Sequence, residues 1–217
     1  MKCKPMVSKE DMWKKIVKEI SECKKCRLYK HRKNPVPGEG NLNAKIVFIG
    51  EAPGAKEDEE GRPFVGAAGK LLTTLLENIG LKRENVFITN VVKCRPPHNR
   101  DPLDDEINAC LPYLMEQINI IKPKIIVTLG RISTRTIFQL GGLAFRSMSK
   151  DRGVIREAKI GEVEVKILPT YHPAAALYNP KLRSKIESDF KALAKIHKNI
   201  DKDSKRKYTL LDFLREN

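Results

Sequence analysis

The sequence has 217 residues, 41% hydrophobic and 32% charged, enough apolar material for one full hydrophobic core. Forty-two lysines and arginines against 27 aspartates and glutamates leave a formal charge of +15, which suits a polyanionic partner, nucleic acid rather than a membrane surface. No apolar run approaches the roughly 20 residues that span a bilayer and the first residues lack a signal peptide's apolar core, so a cytoplasmic, nucleoid-associated protein is expected.

The first predicted element is a helix over residues 8–20, capped by Ser8, with Met12, Trp13, Ile16, Val17 and Ile20 at helical spacing. Four short apolar runs follow: Lys45–Gly50, Val86–Val92, Lys124–Gly130 and Val163–Leu168. The first three lack clean alternation and are rich in Val and Ile, as strands buried on both faces of a parallel sheet are. Helical stretches separate or follow them at Ala67–Gly80, Pro102–Ile121, Arg131–Leu140 and Pro180–Lys198. This succession predicts an α/β doubly wound sheet, three-layer α/β/α, with four mainly parallel strands. It forms a single domain over residues 1–196. Residues 197–207 are strongly charged and predict a flexible linker, and a short apolar segment closes the chain at 208–217.

Ligands of such sheets sit beyond the carboxyl ends of the strands. There the chain places Glu51-Ala52-Pro53-Gly54 after the first run, Asn90 and Cys94-Arg95-Pro96-Pro97 in and after the second, and Thr170-Tyr171-His172-Pro173 after the fourth.

Five cysteines in a chain expected to stay reduced argue for metal rather than disulfides. Cys23 and Cys26 form a C-x-x-C pair, while Cys94 and Cys110 stand about seventy residues later and apart. Spacing alone gives a four-Cys site open to zinc or to iron–sulfur, with Cys94 and Cys110 as ordinary buried thiols the alternative. Cys3 stands outside this set.

Three ordered motifs, residues 50–72 (GEAPGAKEDEEGRPFVGAAGKLL), 88–102 (ITNVVKCRPPHNRDP) and 169–177 (PTYHPAAAL), together with the four cysteines, resemble the family 4 uracil-DNA glycosylases of thermophilic bacteria and archaea. The resemblance spans roughly residues 12–196. It implies a [4Fe-4S] cluster on Cys23, Cys26, Cys94 and Cys110, and a reaction in which deoxyuridine leaves the base stack and its N-glycosidic bond is hydrolysed. Phe64 would then stack on the extruded base. The Asn90 amide would read the O4 and N3–H edge of uracil, and His172 would donate to O2, where negative charge grows. Glu51 would line the pocket, backbone N–H groups near Ala52 would bind the base or position water, and Glu57 would lie near C5 and reject the methyl of thymine. Better-known uracil glycosylases carry a water-activating Asp at the position of Ala52, so the water's base stays unassigned.

Lys93, Arg95, His98, Arg100, Lys181, Arg183 and Lys185 are the expected phosphate contacts, and Leu177 the expected wedge filling the vacated stack. Around Leu210, Phe213 and Leu214 the tail resembles a sliding-clamp-binding peptide, although Lys207 replaces the usual leading Gln; a terminal helix packed on its own domain is the alternative. A monomer is expected. Two other readings stay open: a glycosylase for another deaminated or mismatched base on this fold, and a non-enzymatic metal-bearing nucleic-acid-binding protein.

Overall fold

The computed structural model describes the backbone of residues 7–213 and side chains through residue 200. Cys3 and Leu214 lie outside the described residues, as do the side chains of Leu210 and Phe213. The first helix, α1 (Lys9–Glu22), begins as expected, with the Ser8 hydroxyl accepting from the Asp11 N–H at 3.0 Å. It buries Ile16 and Ile20 and sets the Trp13 ring edge-on to Phe87, centroids 5.2 Å apart.

Further elements follow in chain order: β1 (Glu39–Gly40), β2 (Ile46–Gly50), α2 (Ala55–Glu60), α3 (Ala67–Glu77), β3 (Phe87–Asn90), α4 (Asp104–Ile121), β4 (Ile125–Leu129) and α5 (Arg131–Leu140). The chain continues through α6 (Met148–Asp151), β5 (Arg156–Ile160), β6 (Val163–Thr170), α7 (Pro173–Tyr178) and α8 (Pro180–Phe213). The sheet order is β1-β3-β2-β4-β6-β5. The four predicted strands are the parallel centre, β3-β2-β4-β6.

Two antiparallel edge strands correct the expected count from four to six. β1 is only two residues long, too short to leave a periodic signal. β5 is an edge strand whose outward positions carry Glu157 and Lys159, so it lacks the apolar density of a buried strand.

Side chains alternate across the pleat, and this divides the core. Val47 and Ile49 of β2 face α1, α4 and α5. Ile46 and Phe48 face α3, α7 and α8. Helices on both faces explain why β2 and β4 carry continuous apolar runs.

Helix α8 also corrects an expectation, because its backbone stays helical through 197–207, where a linker is predicted. That stretch holds neither Gly nor Pro, and extending a formed helix costs far less than nucleating one. Among the described residues, no helix is long and apolar enough to cross a membrane.

Candidate active site

The register pairs Gly50 of β2 with Asn90 of β3, and the ladder continues past both strand ends. Val91 N–H donates to Gly50 O (3.0 Å) and Val92 N–H to Glu51 O (3.1 Å). The turns leaving β2 and β3 therefore open side by side, and with the turn leaving β6, two strands from β2, they line a cavity of about 390 Å³. Its lining includes Glu51, Ala52, Glu57, Phe64, Asn90 and His172, all six residues expected there.

Asn90 is buried, and its Oδ1 has no hydrogen-bond partner. A buried acceptor left unsatisfied costs about 1–3 kcal/mol, so an atom of this kind lining a cavity marks a place for a donor. Gly50 makes room for it. A Cβ at position 50 would stand 2.3 Å from Asn90 Oδ1 and 2.7 Å from Phe64 Cζ.

Phe64 sits 5.5 Å from the His172 ring, centroid to centroid, with 28° between the planes. Its backbone is left-handed, φ 51°, a conformation costing a bulky residue on the order of 1–3 kcal/mol. Two neighbours hold it. Glu57 Oε1 accepts from the N–H groups of Val65 (2.9 Å) and Gly66 (2.8 Å), which places a carboxylate at the N-terminus of α3. Gly69 lies so close that a Cβ there would meet Phe64 O at 1.8 Å. The acidic run 57–60, readable as a solvated turn, is thus the helix α2 that carries this brace.

His172 caps α7, its Nδ1 accepting from Ala174 N–H at 3.2 Å. The ring proton therefore belongs on Nε2. Burial pushes the His172 pKa down to about 4, so the ring is neutral near pH 7. Burial, reinforced by the neighbouring Asp101 carboxylate, pushes Glu51 up to about 7. Asp101 in turn accepts from Arg131. Sequence reasoning missed Asp101 and Arg131: they sit just before α4 and at the start of α5, and only the fold brings them to Glu51.

The expected phosphate contacts separate into groups. Lys93 is corrected: it is fully buried, and its Nζ donates to Thr89 Oγ1 (2.8 Å), Asn90 O (2.6 Å) and Gln117 Oε1 (2.7 Å). It faces inward because β3 has just ended and the chain turns beneath α4. Arg100 borders the cavity but donates through both terminal nitrogens to the buried Glu106 (2.8 and 2.6 Å). Arg95 is half-buried and bonded to Asn99 (2.8 Å), and His98 is exposed. Lys181, Arg183 and Lys185 are exposed on the first turns of α8, with Arg183 3.0 Å from Glu187. Leu177 is exposed at the end of α7, and Tyr178 beside it, 90% exposed, borders the cavity mouth.

Cys23, Cys26, Cys94 and Cys110 line a second cavity, between the end of α1, the turn after β3 and α4. All four are free. Lys93 N–H donates to Cys110 Sγ (3.3 Å) and Arg32 Nη1 to Cys94 Sγ (3.1 Å), donors that suit sulfur carrying negative charge. Lys93 and Arg32 both line the same cavity. Four sulfurs with cationic neighbours fit a thiolate-bound centre. Among the described residues no group of three or more His, Cys, Asp or Glu side chains gathers closely enough to hold a metal ion.

A family model described as "Uracil DNA glycosylase superfamily" matches residues 37–195. A "Type-4 uracil-DNA glycosylase" of Sulfurisphaera tokodaii is 60% identical over 187 residues, covering 86% of this chain and 85% of that protein. One from Archaeoglobus fulgidus is 50% identical over 199 residues, covering 92% and 97%. A bacterial one, from Thermotoga maritima, is 45% identical over 174 residues, covering 80% and 88%.

Proposed function

The chain belongs to the uracil DNA glycosylase superfamily, and from that premise we propose that it hydrolyses the N-glycosidic bond of deoxyuridine in DNA, releasing uracil and leaving an abasic site. The observation that carries this reading is the buried, unpartnered Asn90 Oδ1, in a cavity that Phe64 and His172 also line. Flipping a base out of the stack costs a few kcal/mol, and the cavity offers return contacts. The Phe64 ring stacks on the base. Asn90 Oδ1 accepts N3–H and its amide N–H donates to O4; cytosine presents the opposite pattern and leaves both groups unpaired.

As the N1–C1′ bond breaks, its electron pair passes to N1 and spreads onto O2. Neutral His172, with its proton on Nε2, donates to O2. The oxygen of a water bonds to C1′ of the oxocarbenium-like sugar, the proton it gives up passes to solvent, and the uracil anion is released. Glu51 is the carboxylate placed to orient that water. Glu57 holds the Phe64 loop in place, and in that position it stands beside the base and helps exclude thymine.

Cys23, Cys26, Cys94 and Cys110 hold a [4Fe-4S] cluster. The hydrolysis moves no electrons, so the cluster serves as a covalent staple between the N-terminal arm and the sheet. Arg95, His98, Lys181, Arg183 and Lys185 supply phosphate contacts, with Arg100 at the cavity lip and Leu177 as wedge. The segment 208–217 docks on a sliding clamp.

Release of uracil, hypoxanthine and thymine from single-lesion oligonucleotides tests the activity. Uracil is expected to be freed in preference to the other two. Faster release of either other base would transfer the enzyme to that substrate, and release of none would leave a binding protein.

A further inference from the structure

Helix α8 packs on the sheet through Ile186, Asp189, Phe190 and Leu193, all buried. Three of these are what a core-facing stripe requires; Phe190 stacks on Phe48 of β2, centroids 5.8 Å apart. The fourth is a carboxylate, and burying one is costly unless its partners justify the place. Its partners all lie at the end of β6. Asp189 Oδ2 accepts from Thr170 Oγ1 at 2.7 Å, and Oδ1 accepts from Arg152 Nη1 at 2.6 Å. The Arg152 guanidinium lies 5.8 Å from the centre of the Tyr171 ring. Gly153 N–H donates to Pro169 O at 2.8 Å, and Gly130 N–H to Thr170 O at 2.9 Å. A Cβ on Gly153 would stand 2.7 Å from Asp189 Oδ1, so the glycine leaves the carboxylate its space. Residues 169, 170 and 171 are therefore each held, and the next residue is His172.

We propose that Asp189 is a positioning residue: through Thr170 and Arg152 it fixes the Thr170–Tyr171 segment that delivers the His172 imidazole to the base. It touches neither base nor sugar and acts only through His172, so this inference rests on the role given to His172 above. The sequence conceals it, because an aspartate inside an amphipathic helix reads as a solvated face.

The test is a double-mutant cycle on the full-length, cluster-loaded protein, with single-turnover uracil release and DNA affinity measured separately. Asp189→Asn keeps the shape but removes the charge that orders Arg152. A small displacement of a reacting group costs up to about 100-fold, and Asp189→Asn is expected to slow release ~10- to 100-fold with DNA affinity unchanged. In a His172→Ala background the same change should cost less than about 2-fold, because coupled residues do not add. Thr170→Val removes a single hydrogen bond at nearly constant volume and should reproduce the slowing should Asp189→Asn fold poorly; Thr170→Ser, which keeps the hydroxyl, should recover most of the lost rate. Rate losses that multiply in the double variant, or a loss of DNA affinity in place of rate, would overturn the inference. A slow His172→Ala beside a normal Asp189→Asn also removes it and spares the role of His172. A normal His172→Ala removes both.

Discussion

Gly50 lacks a side chain because two other side chains need the space. The Asn90 amide and the Phe64 ring both approach within a bond length or two of where its Cβ would be. Gly50→Ala must displace Asn90, Phe64 or both, and a misplacement near 1 Å can cost on the order of 10²-fold in rate. Single-turnover uracil release should fall by about that factor, while the visible absorbance of the cluster stays as in the parent protein. A second residue-scale consequence concerns protons. The Glu51 carboxyl, raised to about 7, is charged only above that pH. With the carboxylate orienting water, the rate should climb as pH rises through about 7 and then level, and Glu51→Gln should flatten this limb. Asp101→Asn removes a negative neighbour that raises the Glu51 value, so it should move the limb to lower pH; Arg131→Gln removes a positive one and should move it higher. His172, lowered to about 4, stays neutral across this range and adds no limb near neutrality. A pH–rate profile for each variant decides between these outcomes.

At the scale of elements, short helices do the positioning. Helix α2 supplies Glu57 to brace a strained Phe64, and α7 begins on the His172 side chain itself. The two motifs around them, GEAPG…RPFVG and PTYHPAA, were legible as motifs, but both helices are six residues long, too short for a hydrophobic period to declare itself. Helix α8 is the opposite case: its first half was legible from its apolar stripe, while its continuation through residues 197–207 was hidden by charge. The docking role given to 208–217 predicts that deleting those residues leaves uracil release intact and lowers affinity for a sliding clamp, measured by direct binding. Unchanged affinity would rule docking out and leave residues 208–213 as the end of α8 alone.

For the molecule as a whole, a cluster held by the four cysteines would tie α1 and the following turn to α4 and to the segment after β3. Glu106, one helical turn before Cys110 on α4, also grips Arg100 at the cavity lip. Loss of one cysteine should therefore loosen the arm, the lip and the buried Lys93 together. Cys94→Ala is expected to be colourless, to melt well below the parent protein and to lose uracil release. Full iron and sulfide content in that variant would remove Cys94 from the ligand set.

The sequence by itself determined the parallel centre of the sheet, the helices that cover it and the residues brought to its carboxyl edge. Each of these follows from local periodicity and from the rule that strand ends carry the ligand site. Tertiary structure alone decided the edge strands, the inward turn of Lys93, the brace on Phe64, the carboxylate pair of Glu51 with Asp101, and the grip of Asp189 on the strand before His172. Those depend on which residues meet across long stretches of chain, and on how far burial shifts their charge, quantities that no local pattern encodes.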